Sequence, residues 1–270
     1  MLQKNEPRQE EKAPGQVRAL ARALAILREL GREPGGLTLT ELSHRVGLAP
    51  STSHRLLTTL ETHRFARLSP VDNRWRVGVE TFSTGAAFAR ARDIVEISRP
   101  TLEKLRDRTG ETSNLFFADL NEIVCMVQIE SPHQMRALFT VGGRLPMHAT
   151  AAGKVMLAFM REDVAARLVR GSGLPRLTER TIDSPDAMTA ELKAIKGRGV
   201  ALDNEEHAVG LRAAASPIFD EAGAVVAAVS LSGPTARLNA AAHAEAAAET
   251  LAAARAITSD FGGAPFKTPR

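Results

Sequence analysis

Within QVRALARALAILREL, residues 16–30, Val17, Leu20, Leu24 and Leu27 recur at helical spacing and predict a first helix. Two shorter apolar patterns follow between Leu39 and Phe65, Leu42 with Val46 and then Leu56, Leu57 and Leu60. Thr38 and Glu41 stand three apart ahead of the first pattern, the spacing of a capping box. Gly47 supplies a permissive backbone where that helix stops, and Pro50 suits the first turn of the next, where a missing N–H costs nothing. FARLSPVDNRWRV, 65–77, reads as two short strands around a Ser-Pro-Val-Asp-Asn turn. An Ala-rich helix is expected over Gly78–Arg92, and another over Asp93–Arg108 with a bend at Pro100.

Beyond Thr109 the pattern changes. Ser113–Asp119, Ile123–Glu130, Arg136–Val141, Val200–Asp203, Ala213–Phe219 and Ala224–Leu231 read as strands. Gly153–Met160, Glu162–Arg170, Ala187–Arg198 and Asn239–Phe261 read as helices. Strands flanked by helices in this order predict an α+β sheet domain, not a doubly wound one.

Two short helices, a tight turn and a hairpin form the layout of a winged helix-turn-helix, which reads DNA with the start of its second helix. Ser51, Thr52, Ser53, His54 and Arg55 occupy that start, where side chains meet base edges and phosphates. Arg67, Arg74 and Arg76 on the wing are expected to face the phosphate backbone, and Arg22 and Thr40 complete the expected contact set. Trp75, alternating with Val77, is expected to anchor the wing on the helices instead of stacking on a base. A plain helical hairpin with a solvated face is the alternative.

Charge strengthens the first reading. Residues 1–92 hold 15 Lys and Arg against 9 Asp and Glu, and residues 93–270 hold 20 against 22. Positive charge is thus concentrated around the suspected DNA reader, although the whole chain carries only +4. Cys125, the single cysteine, lies in the apolar run IVCMVQI and reads as a buried strand thiol. The opening MLQKNEPRQEEKAPG is charged, without the apolar core of a signal peptide. No run approaches the roughly 20 apolar residues of a membrane span, so a soluble cytoplasmic protein is expected.

STSHRLLTTLE in the recognition helix, NRWRVG in the wing, LPMHATAAGKVMLAF in the middle and RGVALDNEEHAVGLRAAASPIFDEAGAVVAAVSLSGPTARL near the end resemble the IclR family of bacterial transcriptional regulators. The similarity runs from about Gly15 to Gly263 and is strongest to the regulators of acetate and glyoxylate-bypass genes. It implies a disordered tail over 1–14, a winged helix-turn-helix over 15–78, a linker helix over 79–92, a GAF-like effector-binding domain over 93–262 and a tail over 263–270. It also implies dimers, often paired into tetramers, on a palindromic double-stranded operator.

Matched residue by residue, the resemblance places Ala151 and Ala152 at a loop of backbone donors and Leu145 and Leu211 as apolar walls, with Ala213 beside them. Asp203, Ser230 and Ser232 are the implied polar contacts. The implied effector is a small carboxylic acid, glyoxylate or pyruvate. Two departures bear on its identity: the glyoxylate-bypass regulators have Gly where this chain has Ala151, and Cys where it has Ala213.

The residues support parts of this independently. Ser230 and Ser232 are two apart on a strand and share a face. Loop N–H groups at a helix start suit a small carboxylate. Asp203 beside a carboxylate is repulsive unless it accepts a hydrogen bond from a hydroxyl or a hydrated aldehyde, which favours glyoxylate. The rival readings are the same fold sensing an aromatic or sugar acid, or an enzyme using His148, Asp203, Glu205, Glu206 and His207 as an acid/base or metal site. No HExxH, GxSxG, GxxxxGK[ST] or CxxC motif is present, so no catalytic residue, metal or cofactor is expected.

Overall fold

Capping chemistry sets the N-terminal elements. In the computed structural model, which describes residues 17–90, 94–137 and 139–264, α1 spans Arg18–Arg32, α2 Leu39–Val46 and α3 Pro50–Thr62. Thr38 Oγ1 accepts from the Glu41 N–H, and the Glu41 side chain accepts from the Thr38 N–H at 2.8 Å, closing the capping box. Gly47 ends α2 at φ 64°, a left-handed position that favours glycine. Pro50 opens α3 as its first residue.

Strands β1 (Ala66–Ser69) and β2 (Arg74–Val77) pair antiparallel around the turn. Trp75 is buried, and its N–H and C=O both pair with the backbone of Leu37. It packs with Ile26, Leu30, Leu42, Leu57 and Ala66, so the indole anchors the wing as the alternation with Val77 predicts.

The buried stripe of α1 differs from the expected one. Ile26 and Leu30, four apart, enter the core, whereas Val17, Leu20 and Leu24 are exposed. Both stripes have helical spacing, and only packing against α2 and α3 selects between them. Helix α4 (Val79–Arg90) follows the wing.

The chain divides into two compact units, Met1–Ala91 and Arg92–Arg270. The second contains α5 (Ile94–Thr109), β3 (Thr112–Asp119), β4 (Glu122–Ile129), β5 (Arg144–Pro146), α6 (Ala151–Phe159), α7 (Glu162–Gly171), α8 (Pro185–Arg198), β6 (Ala201–Asn204), β7 (Leu211–Phe219), β8 (Val225–Pro234) and α9 (Ala240–Asp260). The six strands form one antiparallel sheet in the order β5-β4-β3-β8-β7-β6. Strand alternation sends Leu115, Phe117, Ala214, Val229 and Leu231 into one core with α5 and α9. Phe116, Ala213, Ala215 and Ala228 face the opposite core, with α6, α7 and α8. The protein is therefore α+β, with a winged helix-turn-helix followed by this sheet domain. No helix among the described residues is long and apolar enough to cross a membrane.

The expected strand over 136–141 does not form at its described residues, 136, 137 and 139–141, and residue 138 lies outside the described residues. The Phe139 N–H donates to the Gln128 side chain, and the Gly142 N–H to the Cys125 carbonyl, so a loop with a two-glycine turn replaces a regular ladder until β5 begins. Helix α5 continues through Pro100. The expected terminal tails at 1–14 and 265–270 lie outside the described residues, but Gly263 and Ala264 are tied to Thr258 and Asp220 by backbone hydrogen bonds and are no loose tail.

Candidate functional site

The start of α3 presents Ser51, His54 and Arg55 to solvent, with Thr52 half-exposed. Arg22 on α1 and Thr40 on α2 are exposed as well. Ser53 is not: it is fully buried, and its hydroxyl has no hydrogen-bond partner. It precedes the buried Leu57 by one helical repeat, so the face that packs α3 on the domain takes Ser53 with it. That corrects its expected place on the DNA-reading surface.

The wing arginines also differ from one another. Arg74 donates to the Gly36 carbonyl at 2.7 Å and to Glu41 at 3.3 Å. Arg76 donates to the Gly35 carbonyl at 2.8 Å and pairs with Asp72. Both guanidinium groups are thus engaged in holding the wing to the turn before α2. Arg67 remains exposed.

In the second unit, Thr150 caps α6 by accepting from the Gly153 N–H while donating to the Pro146 carbonyl. Gly153 is required there, because a Cβ would collide with the backbone of Met147. The N–H groups of Ala151 and Ala152 have no protein acceptor among the described residues. They open onto a cavity of about 20 Å³, the scale of one or two water positions.

All eight residues expected at the effector site line this one cavity: Leu145, Ala151, Ala152, Asp203, Leu211, Ala213, Ser230 and Ser232. Phe116, Ile123, Phe139, Thr150 and His207 complete the lining, and sequence reasoning did not assign them to it. Two signals pointed to members of this group: His207 lies four residues after Asp203, and Thr150 directly precedes the donor loop. Phe116, Ile123 and Phe139 look like any core residue of a sheet.

Asp203, 2% exposed, closes the polar side. Its Oδ1 accepts from the Glu206 N–H at 2.7 Å and more distantly from the His207 N–H at 3.4 Å. Burial pushes its carboxyl up to about 7, and the nearby Glu206 carboxylate adds to the rise against the opposing backbone hydrogen bonds and Lys154.

Behind it, Lys154 of α6 contacts both Glu206 oxygens at 2.6 Å, and Glu191 of α8 lies 3.7 Å away. Burial raises the Glu206 carboxyl, with Lys154 acting against the rise. Thr178 and Thr181 donate to the Glu205 and Glu206 carbonyls, each at 2.6 Å, fixing the loop that carries Asp203's partners. Cys125, whose thiol burial pushes up to about 12, is a buried strand residue as expected.

The description "Bacterial transcriptional regulator IclR C-terminal" matches residues 86–259, and "IclR helix-turn-helix domain" matches residues 19–70. The chain belongs to the IclR family. The transcriptional repressor IclR of Escherichia coli is 38% identical over 253 residues, covering 93% of this chain and 92% of that protein. The acetate operon repressor of Salmonella typhimurium is 38% identical over 251 residues, covering 92% of each. The crystal structure of Thermotoga maritima IclR aligns at 28% identity with a TM-score of 0.75, covering 90% of this chain and 98% of that one.

These IclR-family relatives are transcriptional regulators, and the chain carries the family's helix-turn-helix domain. The residues of the enzyme alternative have other engagements: His148 Nε2 bonds the Pro175 carbonyl and Glu206 is taken by Lys154. No group of three or more His, Cys, Asp or Glu among the described residues could hold a metal.

Proposed function

We propose that this IclR-family regulator controls genes of two-carbon metabolism and senses a small oxo-acid, glyoxylate in first place. One observation carries the reading: eight residues drawn from five separate stretches of chain meet at a single small cavity with unpaired helix N–H groups on one side. The effector carboxylate would take the Ala151 and Ala152 N–H groups, Ser230 and Ser232 would hydrogen-bond the oxygen on its second carbon, and Leu145, Leu211 and Ala213 would exclude bulk. The close approach of the polar groups and the apolar walls around one small cavity suits a small acid. Pyruvate is the second reading, favoured by the methyl of Ala213 and the Leu145 and Leu211 walls.

Operator reading falls to Ser51, Thr52, His54 and Arg55, with Arg22, Thr40 and Arg67 toward the phosphates and Arg74 bracing the wing. Val17 just before α1, Leu20 and Leu24 on α1, and Val79 and Phe82 on α4 leave exposed apolar side chains in the DNA-binding unit, which suits self-association into a dimer and, from it, a tetramer. Effector binding would shift the population between assemblies that fit the operator unequally.

Fluorescence anisotropy on the chain's own upstream intergenic DNA tests this. The expected result is a salt-dependent specific complex whose affinity changes with glyoxylate; a specific complex unaffected by glyoxylate and pyruvate would remove the oxo-acid reading.

A further inference from the structure

We propose that Asp203 receives the effector as a neutral carboxyl donor, so that the acid effector and one proton enter the cavity together. The inference rests on the effector reading of the cavity and concerns how that site accepts an anion. Asp203 lines the cavity, and both of its hydrogen bonds within the chain go to Oδ1, leaving Oδ2 free of a protein partner among the described residues.

Among the described residues, no unpaired cation faces it from the surrounding elements. Lys154 of α6 is already bonded to both oxygens of Glu206. Arg212 of β7 is held by Asn204 and the Leu238 carbonyl, and Arg144 of β5 by Asp119 and Glu122. The facing residues of β3 and β8, Phe116, Ser230 and Ser232, are uncharged.

Two ionised carboxylates confined there would repel without a compensating charge, whereas a shared proton turns the repulsion into a charge-assisted hydrogen bond. The cavity already holds a carboxyl near the point of protonation, since burial lifts Asp203 to about 7. Two histidines could offer a rival proton site. His207 lines the cavity with an unpartnered buried Nδ1, but burial, and then the neighbouring His148, lower its pKa. His148 is engaged with Pro175.

Isothermal titration calorimetry of the full chain with glyoxylate and with pyruvate, from pH 6 to 8.5 in buffers of different ionisation enthalpy, reads the coupling directly. The expected result is a Kd that rises about tenfold per pH unit above 7, with uptake approaching one proton per effector. Asp203→Asn keeps the Oδ1 acceptor and supplies a permanent donor, so it retains binding and loses the pH slope. His207→Gln keeps the slope.

A pH-independent wild-type Kd, or a slope lost in His207→Gln and kept in Asp203→Asn, overturns the proton coupling alone. No binding heat with either acid at any pH overturns both the coupling and the effector reading.

Discussion

The two sites of this regulator solve opposite problems. The start of α3 keeps Ser51, His54 and Arg55 in water, where a polyanion can reach them and long-range attraction does much of the work. The cavity keeps Asp203, Ser230 and Ser232 out of water, where each polar group is worth more when paired and costs more when it is not. Ion pairs show the same contrast. Arg76 and Asp72 form a short pair on the wing surface, and Lys154 and Glu206 form one in the interior. The surface pair shapes a hairpin, whereas the interior pair is a condition of the fold around the cavity.

Breaking the interior pair has the largest expected consequence. Lys154→Ala leaves Glu206 buried without its partner, and urea denaturation should show a loss of about 3–5 kcal/mol. The double variant Lys154→Met with Glu206→Leu should recover much of it, because two apolar groups incur no desolvation penalty. Asp72→Asn on the wing should leave the denaturation midpoint unchanged; a comparable loss there would erase the contrast.

The pH dependence sharpens it next. Asp203 is raised in the folded state to about 7 from its usual 3.8, so the native state binds more protons between those values and stability falls as pH rises through that window. Asp203→Asn removes this contribution. Its midpoint relative to wild type should therefore be higher at pH 8 than at pH 5, measured by urea titration at both.

At the exposed site, Arg55→Ala should weaken specific operator binding by about 10–100-fold, on the order of 1–3 kcal/mol, without changing the melting temperature. Thr38→Ala, which removes the α2 cap, should cost about 1 kcal/mol of stability. Ser53→Ala should leave operator affinity unchanged and stability equal or slightly higher, because a buried unpartnered hydroxyl is removed. A drop in affinity on Ser53→Ala would return that residue to the DNA surface.

Legibility in the sequence followed the same division. The helix-turn-helix is contiguous, and its caps, turn glycine and wing are local chemistry, so Thr38, Gly47, Pro50 and Trp75 could be read in place. What failed there was facing. Ser53 looks polar and accessible until Leu57 fixes the buried side of α3, and Val17, Leu20 and Leu24 form a stripe as regular as Ile26 and Leu30.

In the sheet domain, alternation located most strands but overran around Phe139, where the Gln128 side chain replaces a backbone partner. The cavity was legible only through family resemblance, since Leu145, Asp203 and Ser230 share no local pattern. The ion pair behind it had no signal at all. Lys154 reads as an ordinary polar residue in AAGKVMLAF, and Glu206 as one of two acids in a turn.

The central question is whether the buried cavity governs the exposed reader. The most direct measurement is operator anisotropy with increasing glyoxylate, made in parallel on the wild-type chain and on Asp203→Ala. The account predicts equal operator affinity for both proteins without effector, a glyoxylate-dependent change in the wild type, and none in the variant. An identical glyoxylate response in both would place the effector outside this cavity and contradict the account.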